Sequence, residues 1–179
     1  MKEIPKIIAI DDDEVILLLI EELCNKLGYS IITFSNPAKA LSFIKNNSSD
    51  IVLVDYIMPE LNGIEVIKRI HQIDPTIICV MITALGESHE IKLKALEAGA
   101  TEFLAKPFDP VEFQCRIKNL AHIKKAQSIL KDFSKRLIKE IRRTTKPKKT
   151  GIEGKNNKNN RKNRNRHRSR SKQTSKRYA

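Results

Sequence analysis

Short apolar runs alternate with amphipathic helical patterns along roughly the first 120 residues of this chain. The runs are four to six residues long and mostly β-branched, which is typical of strands buried on both faces of a parallel sheet. The pattern predicts five strands, over residues 6–10, 30–34, 51–54, 77–82 and 101–104. Helical spacing between them predicts helices over 14–27, from 37 onward, over 64–73 and 87–98, and from 110 onward.

The regular alternation of strands and helices predicts an α/β fold, a doubly wound five-stranded parallel sheet with right-handed crossovers. Capping residues support the boundaries. Asn36 and Pro37 suit the start of a helix, whereas Gly28 and Gly99 suit a helix end. The carboxyl ends of the strands then share one edge, where open α/β sheets bind their ligands.

Polar side chains follow four of the predicted strands at this edge: Asp11, Asp12 and Asp13 after the first, Asp55 after the third, Thr83 after the fourth and Lys106 after the fifth. Carboxylates gathered in one crevice repel one another unless a cation or a proton intervenes. Oxygen ligands with open positions suit Mg²⁺, which also accepts phosphate oxygens. With a hydroxyl and an ammonium nearby, the chemistry that fits is phosphoryl transfer to or from a carboxylate.

The order of these motifs resembles the receiver domain of two-component response regulators, over roughly residues 4–122. The matching features are Asp11-Asp12 after the first strand, Asp55 followed by Pro59 and Gly63, Thr83-Ala84, and Lys106-Pro107. The resemblance implies a flavodoxin-like fold of the receiver type. It also implies the following roles: phosphoacceptor for Asp55, Mg²⁺ ligands for Asp11, Asp12, Asp55 and the carbonyl of Ile57, and phosphoryl-oxygen contacts for Thr83 and Lys106.

The resemblance further implies a partner and a response. A sensor histidine kinase or a phosphotransfer protein would donate a phosphoryl group to Asp55 with Mg²⁺ bound. Thr83 would move toward the phosphoryl oxygens, and Phe103, at the position of the family's switch aromatic, would turn inward. The chain is then a signalling phosphoprotein rather than an enzyme in the usual sense, although it takes part in its own phosphorylation and dephosphorylation.

Two other interpretations of the acidic residues remain open. An aspartate at a strand end is often only a turn residue or a helix cap, and Asp13 suits that role. The pattern Asp11-x-Asp13 also resembles the haloacid-dehalogenase phosphatases, in which Asp11 would be the nucleophile and Asp13 the general acid. That alternative leaves Asp55 and its loop without a role.

The predicted last helix does not stop at the end of the receiver (residues 1–122). Residues 110–143 contain no proline or glycine after Pro110 itself, and apolar residues recur at spacings of 3 and 4: Ile123, Ala126, Leu130, Phe133 and Leu137, with Ile141 beyond. A helical extension over 123–145 is predicted. It would form a homodimer through residues 123–141, or alternatively fold back on its own receiver.

Charge separates the two ends of the chain. Residues 1–120 carry 12 Lys and Arg against 18 Asp and Glu, whereas residues 121–179 carry 22 against 3. Residues 146–179 are predicted to be a disordered basic tail, because they hold almost no apolar side chains. Such a tail could bind nucleic acid or an anionic membrane without specificity, act only as a solubilising segment, or be the remnant of a disrupted longer gene.

The remaining features argue for an ordinary cytoplasmic protein. Cys24, Cys79 and Cys115 are far apart within apolar periodic segments, which predicts reduced and buried thiols. The four histidines share no ligand spacing and are predicted to be surface residues. Neither a signal peptide nor a transmembrane segment is expected, because charged residues interrupt every apolar run too early.

Overall fold

The computed structural model describes residues 4–84 and 89–145. Five strands and five helices alternate along these residues. The elements are β1 (Lys6–Ile10), α1 (Glu14–Lys26), β2 (Ser30–Phe34), α2 (Pro37–Asn46), β3 (Ile51–Asp55), α3 (Gly63–Ile73), β4 (Ile78–Ala84), α4 (His89–Glu97), β5 (Ala100–Lys106) and α5 (Pro110–Thr144).

The strands form one parallel sheet in the order β2-β1-β3-β4-β5. Strand β3 lies at its centre, and all five of its residues are buried. One hydrophobic cluster packs α1 and the first turns of α5 on one face, and a second packs α2, α3 and Ala95 of α4 on the other. The predicted doubly wound α/β fold is confirmed.

Two of the predicted strands are longer in the structure than the apolar pattern suggested. Strand β4 continues through Thr83 to Ala84, and β5 continues from Leu104 to Lys106. Their last residues pair in register, Thr83 opposite Ala105 and Ala84 opposite Lys106, so both polar side chains belong to the ladder at the carboxyl edge. Helix α4 begins at His89 among the described residues, and its predicted start at Glu87 lies outside them.

Side chains at the helix starts explain why the elements begin where they do. Asn36 caps α2 by accepting a hydrogen bond from the Lys39 amide at 3.0 Å, and Asn62 caps α3 by accepting one from the Glu65 amide at 2.9 Å. Each cap accepts from an amide of the first helical turn that has no partner within the helix. The two helix starts are thereby fixed at Pro37 and Gly63.

Helix α5 is continuous from Pro110 to Thr144, as its lack of internal proline and glycine predicted. Its first turns pack on the sheet, with Phe113 fully buried. The described residues fall into two compact units, one ending at Ser134 and the other beginning at Lys135. The predicted receiver boundary at 122 therefore remains a prediction, and the predicted basic tail lies outside the described residues.

One prediction about the thiols is wrong. Cys24 and Cys79 are buried as expected, but Cys115 is exposed, because it lies on the side of α5 opposite Phe113 and Ile117, which face the core. Burial raises the pKa of both the Cys24 and the Cys79 thiols to about 12. No helix in the described part of the chain has an apolar stretch that could cross a lipid bilayer.

Candidate functional site

The polar residues predicted at the strand ends meet in one cavity of about 230 Å³ at the carboxyl edge of the sheet. It is lined by Asp11, Asp12, Asp13, Asp55, Tyr56, Ile57, Thr83, Ala84 and Lys106. These residues come from the ends of β3, β4 and β5 and from the turns that follow β1 and β3. The parallel sheet therefore brings together residues that lie up to 95 positions apart in sequence.

Asp55 is the last residue of β3 and is only 6% exposed. Its Oδ2 atom accepts a hydrogen bond from the Ile57 amide at 3.0 Å. The Tyr56 amide continues the sheet by donating to the Ile82 carbonyl at 2.9 Å. A central strand and a fixed turn thus hold the carboxylate at the floor of the cavity.

Lys106 lies between two buried carboxylates. Its Nζ atom is 2.7 Å from Oδ1 of Asp55 and 2.7 Å from Oδ2 of Asp11. Asp11 is completely buried, and its other oxygen accepts a hydrogen bond from the Asp13 amide at 3.0 Å. Apart from this ion pair with Lys106, Asp11 Oδ2 has no hydrogen-bond partner among the described residues. The ammonium offsets the charge of two acids in a confined space.

The surroundings raise the pKa of both Asp55 and Lys106. Burial raises the pKa of Asp55, the bond to Lys106 opposes that rise, and the charge of Asp11 adds to it. Burial lowers the pKa of Lys106, but its bonds to Asp11 and Asp55 outweigh burial and raise it overall. The single Lys106 ammonium thus does not neutralise both the Asp11 and the Asp55 carboxylates.

The acidic residues fit a hard divalent cation. One carboxylate oxygen from each of Asp11, Asp12 and Asp55 lies within 4.8 Å of the others. Asp11 and Asp55 are buried, whereas Asp12 is exposed and leaves the group open to solvent. Carboxylate oxygens with open positions suit Mg²⁺, which keeps several waters and also accepts phosphate oxygens. Ile57 lines the same cavity, and a role for its carbonyl remains a prediction.

Asp13 is the N-cap of helix α1. Its Oδ1 atom accepts hydrogen bonds from the amides of Val15 at 2.8 Å and Ile16 at 3.4 Å, which caps α1. The capping interpretation of this residue is therefore confirmed. A carboxylate held in a helix cap is poorly placed to act as a general acid, and this weakens the phosphatase interpretation of Asp11 and Asp13.

Thr83 and Phe103 lie on neighbouring strands. Thr83 is 4% exposed, and its hydroxyl makes only a long contact of 3.5 Å to the Ala84 carbonyl. Phe103 is partly buried against the hydrophobic cluster that contains Met81, its partner in the strand ladder. A hydroxyl without a strong partner is available to a ligand oxygen, and the Phe103 ring is only partly fixed by its neighbours.

Gly63 has a role that the sequence pattern did not reveal. A Cβ atom at this position would collide with the Asp55 carbonyl oxygen and lie 2.9 Å from the Met81 sulfur. The Gly63 amide also donates to the Tyr56 carbonyl at 2.9 Å. The start of α3 therefore packs directly against the backbone of Asp55, which only a residue without a side chain allows.

The pairing of Lys106 with Asp11 was also missed from sequence. Lys106 was predicted to contact a phosphoryl oxygen, and no sequence signal indicated that it would pair with an acid 95 residues earlier in the chain. The extension of β5 to Lys106 is the local feature that sets its position. The Lys106–Pro107 peptide bond that follows is cis.

A sequence model of the response regulator receiver domain matches residues 7–118. Among curated proteins, sporulation initiation phosphotransferase F of Bacillus subtilis is 36% identical over 119 residues, covering 66% of this chain and 95% of that protein. Chemotaxis protein CheY of Thermotoga maritima is 33% identical over 106 residues, covering 59% of this chain and 88% of that protein.

Longer proteins match over the same region. The alkaline phosphatase synthesis transcriptional regulatory protein PhoP of Bacillus subtilis is 35% identical over 113 residues, which are 63% of this chain. The chain spans about half of that regulator's length, 47%.

Solved structures share the fold. A response regulator receiver domain protein from Clostridium thermocellum has a TM-score of 0.63 at 32% identity, with 69% of this chain and 99% of that chain covered. A CheY-like receiver domain protein from Methanospirillum hungatei has a TM-score of 0.66 at 25% identity, with 70% and 99% covered. Each likeness covers about 70% of this chain and nearly all of the solved chain.

Proposed function

The chain belongs to the response regulator receiver domain family, and from this premise we propose that Asp55 is the residue that accepts a phosphoryl group from a phosphohistidine. One observation carries the proposal. Asp55 is a buried carboxylate at the floor of an open cavity. The Lys106 ammonium lies 2.7 Å from it, and carboxylate oxygens of Asp11 and Asp12 lie within 4.8 Å. The chain is the receiver of a two-component system, and its phosphatase alternative through Asp11 and Asp13 has no support from the family match.

The chemistry follows from the placement of the side chains. An ionised Asp55 oxygen attacks the phosphorus atom, the phosphorus–nitrogen bond breaks, and the imidazole leaves with the electron pair of that bond. The Ile57 amide fixes the orientation of the Asp55 carboxylate, and Lys106 holds positive charge next to the reacting oxygen. Apart from the Asp55 nucleophile, the protein thus contributes positioning and charge neutralisation.

We propose that Asp11, Asp12 and Asp55 hold Mg²⁺, together with the Ile57 carbonyl. When bound, Mg²⁺ neutralises charge on the phosphoryl oxygens. The donor set supports this assignment, because Asp11 Oδ2 is a buried acceptor without a regular hydrogen bond. Asp12 supplies the exposed member of the group, at the entrance to the cavity.

Thr83 and Phe103 are proposed to carry the response to phosphorylation. The weakly bonded Thr83 hydroxyl would bind a phosphoryl oxygen, and its movement would leave space for the Phe103 ring to turn inward. The two residues lie on adjacent strands, so a change at one reaches the other through the β4–β5 ladder. The result would be a shift between two conformers of the outer surface of α4, β5 and α5.

The partners of the whole protein are proposals. A sensor histidine kinase or a phosphotransfer protein in the cytoplasm would supply the phosphoryl group, and the receiver would assist both its phosphorylation and its dephosphorylation. Self-association through residues 123–141 and nucleic-acid binding by residues 146–179 remain predictions. The exposed apolar residues of α5 are compatible with the first of these, and the second lies outside the described residues.

The phosphoacceptor assignment is tested by incubating the full chain with acetyl phosphate and Mg²⁺ and mapping the modified residue by mass spectrometry after borohydride reduction. Labelling at Asp55 is expected, with none in Asp55→Asn. Asp13→Asn is the matched control, because it removes a carboxylate from the same cavity edge that serves only as a cap. Persistent labelling of Asp55→Asn, or loss of labelling in Asp13→Asn with Asp55 intact, contradicts the assignment.

A further inference from the structure

Beyond residue 122, helix α5 is apolar on the side that faces away from the core. Phe113 is fully buried, whereas Phe133, twenty residues later on the same helix, is 59% exposed. Twenty residues are about five and a half turns at 3.6 residues per turn, so the two rings point to opposite sides of the helix. The core on which α5 packs therefore does not cover Phe133.

Six large apolar side chains form this outer apolar face: Ile123, Ile129, Leu130, Phe133, Leu137 and Ile141. All of them are between 47% and 64% exposed. Their helical positions span about a third of the circumference of the helix, which is wider than the narrow seam of a coiled coil. An apolar face of this extent on a solvated helix indicates a binding surface.

The opposite side of the same turns is basic. Residues 123–145 contain eight Lys and Arg, and Asp132 and Glu140 are their only acids. The sequence that follows continues this charge, with 14 Lys and Arg against a single Glu in residues 146–179. A helix with one apolar side and one strongly basic side is suited to lie in the plane of an anionic membrane surface.

We propose that the outer apolar face of α5 binds to anionic phospholipid surfaces. The six apolar side chains would enter the boundary between headgroups and acyl chains, while Lys and Arg at the border of the face extend along the helix to lipid phosphates. The basic residues beyond 145 would add a second, electrostatic attraction to the same surface. The proposal concerns the extension alone and is independent of chemistry at Asp55.

A second copy of the chain fits this face less well than a lipid surface. The spacing of Ile123, Ala126, Leu130, Phe133 and Leu137 places Glu140 at the next position of a coiled-coil seam. A coil would therefore bury a carboxylate or end after about two heptads, which is short for a stable dimer. Nucleic acid would satisfy the basic side but leave the apolar side in water.

The test measures co-sedimentation of the full chain with sucrose-loaded vesicles, either of phosphatidylcholine alone or with about one third phosphatidylglycerol to give a negative surface. Binding is expected only to the anionic vesicles, and it should weaken at high salt. The double variant Phe133→Ser/Leu137→Ser should lose about tenfold or more in partitioning, because two inserted apolar groups are removed. Both residues are exposed, so the receiver core is unaffected.

Leu96→Ser is the matched control, since Leu96 is 51% exposed on α4 and outside the proposed face. It should bind anionic vesicles like the unmodified chain. Unchanged binding of the double variant would overturn the proposal and assign the attraction to the basic tail. Absence of vesicle binding by the unmodified chain would overturn it as well. If that chain instead forms a concentration-dependent dimer that the double variant lacks, a second copy covers the face.

Discussion

The Lys106 ammonium nitrogen lies 2.7 Å from Oδ1 of Asp55 and 2.7 Å from Oδ2 of Asp11, and it links the last residue of β5 to the ends of two other strands. Lys106→Gln would leave two buried acids facing each other without a counter-charge. We expect the free energy of unfolding without metal to fall by about 1–3 kcal/mol at neutral pH. Urea unfolding in EDTA measures this change.

Mg²⁺ should stabilise Lys106→Gln more than it stabilises the unmodified chain, because a cation that binds the folded state replaces the lost charge. Lys94→Gln provides the control. The Lys94 ion pair with Glu90 is exposed on α4, so its loss should change stability by less than about 0.5 kcal/mol. Equal stability changes in the two variants would show that Lys106 does not neutralise the acids of the site.

The pKa shift of Asp55 makes a signed prediction. Because burial raises its folded-state pKa above the unfolded value, ionisation of Asp55 costs stability. This cost is absent at a pH below the pKa of Asp55 in the unfolded chain. It grows as the pH rises from that value to the higher pKa of Asp55 in the folded chain. Asp55→Asn should therefore unfold at higher urea than the unmodified chain at pH 7 in EDTA, by on the order of 1 kcal/mol, and the gain should vanish near pH 4.

Asp74 is the natural comparison, because its shift has the opposite sign. Burial raises its pKa, but hydrogen bonds from Thr76 and the positive charges of Lys124 and Lys131 together outweigh burial and lower the pKa overall. Its contribution is present above the unfolded pKa and is lost as pH falls through the folded pKa. Asp74→Asn should thus be less stable than the unmodified chain at pH 7. A stabilising Asp74→Asn, or a destabilising Asp55→Asn, contradicts these signs.

Gly63→Ala should disturb the site without touching any charged group. Its methyl group would collide with the Asp55 carbonyl oxygen and approach Met81, so either α3 or β3 must shift. A loss of about 1–3 kcal/mol in the free energy of unfolding is expected, with a lower rate of labelling by acetyl phosphate. Gly28→Ala is the control that distinguishes a steric clash from backbone strain. Gly28 has a φ of 74°, but an added Cβ atom would meet nothing within 4 Å. The substitution should cost about 1 kcal/mol and leave labelling unchanged.

The three thiols should differ sharply in reactivity. Cys115 is exposed, whereas burial raises the pKa of Cys24 and Cys79 to about 12. One equivalent of Ellman's reagent should therefore react quickly with the native chain at pH 8, and it should modify Cys115. Unfolding in guanidinium should expose the other two thiols. Rapid reaction of two or more thiols in the native state would show that the buried cysteines are accessible.

Much of the fold was predictable because local signals agree with one another. The apolar run at 51–54, the capping Asn36 and the prolines at helix starts each indicated an element that the structure contains. The prediction that failed, a buried Cys115, depended on the angular position of a residue around a helix. Cys115 lies in an apolar periodic segment, but its angular position places it opposite Phe113, and composition alone does not distinguish the two sides.

The candidate site was predictable as a set of residues but not as a network of contacts. Parallel strands deliver their ends to one edge, so the gathering of Asp11, Asp55, Thr83 and Lys106 follows from topology. Which acid Lys106 would pair with depends on the length of β5 and on side-chain packing. The close approach of Gly63 to Asp55 likewise arises from tertiary packing between α3 and β3.

The contact between Gly63 and the Asp55 backbone makes the two sides of β3 unlike each other. On the α3 side, the start of the helix packs so closely against the Asp55 carbonyl that not even a methyl group fits between them. On the β4 and β5 side stand a weakly bonded hydroxyl and a half-buried ring, at Thr83 and Phe103. The backbone of Asp55 is therefore fixed on the α3 side, whereas the groups near it on β4 and β5 are held by weaker contacts. Under the proposed function, the response to a phosphoryl group on Asp55 would thus pass to β4 and β5 rather than to α3.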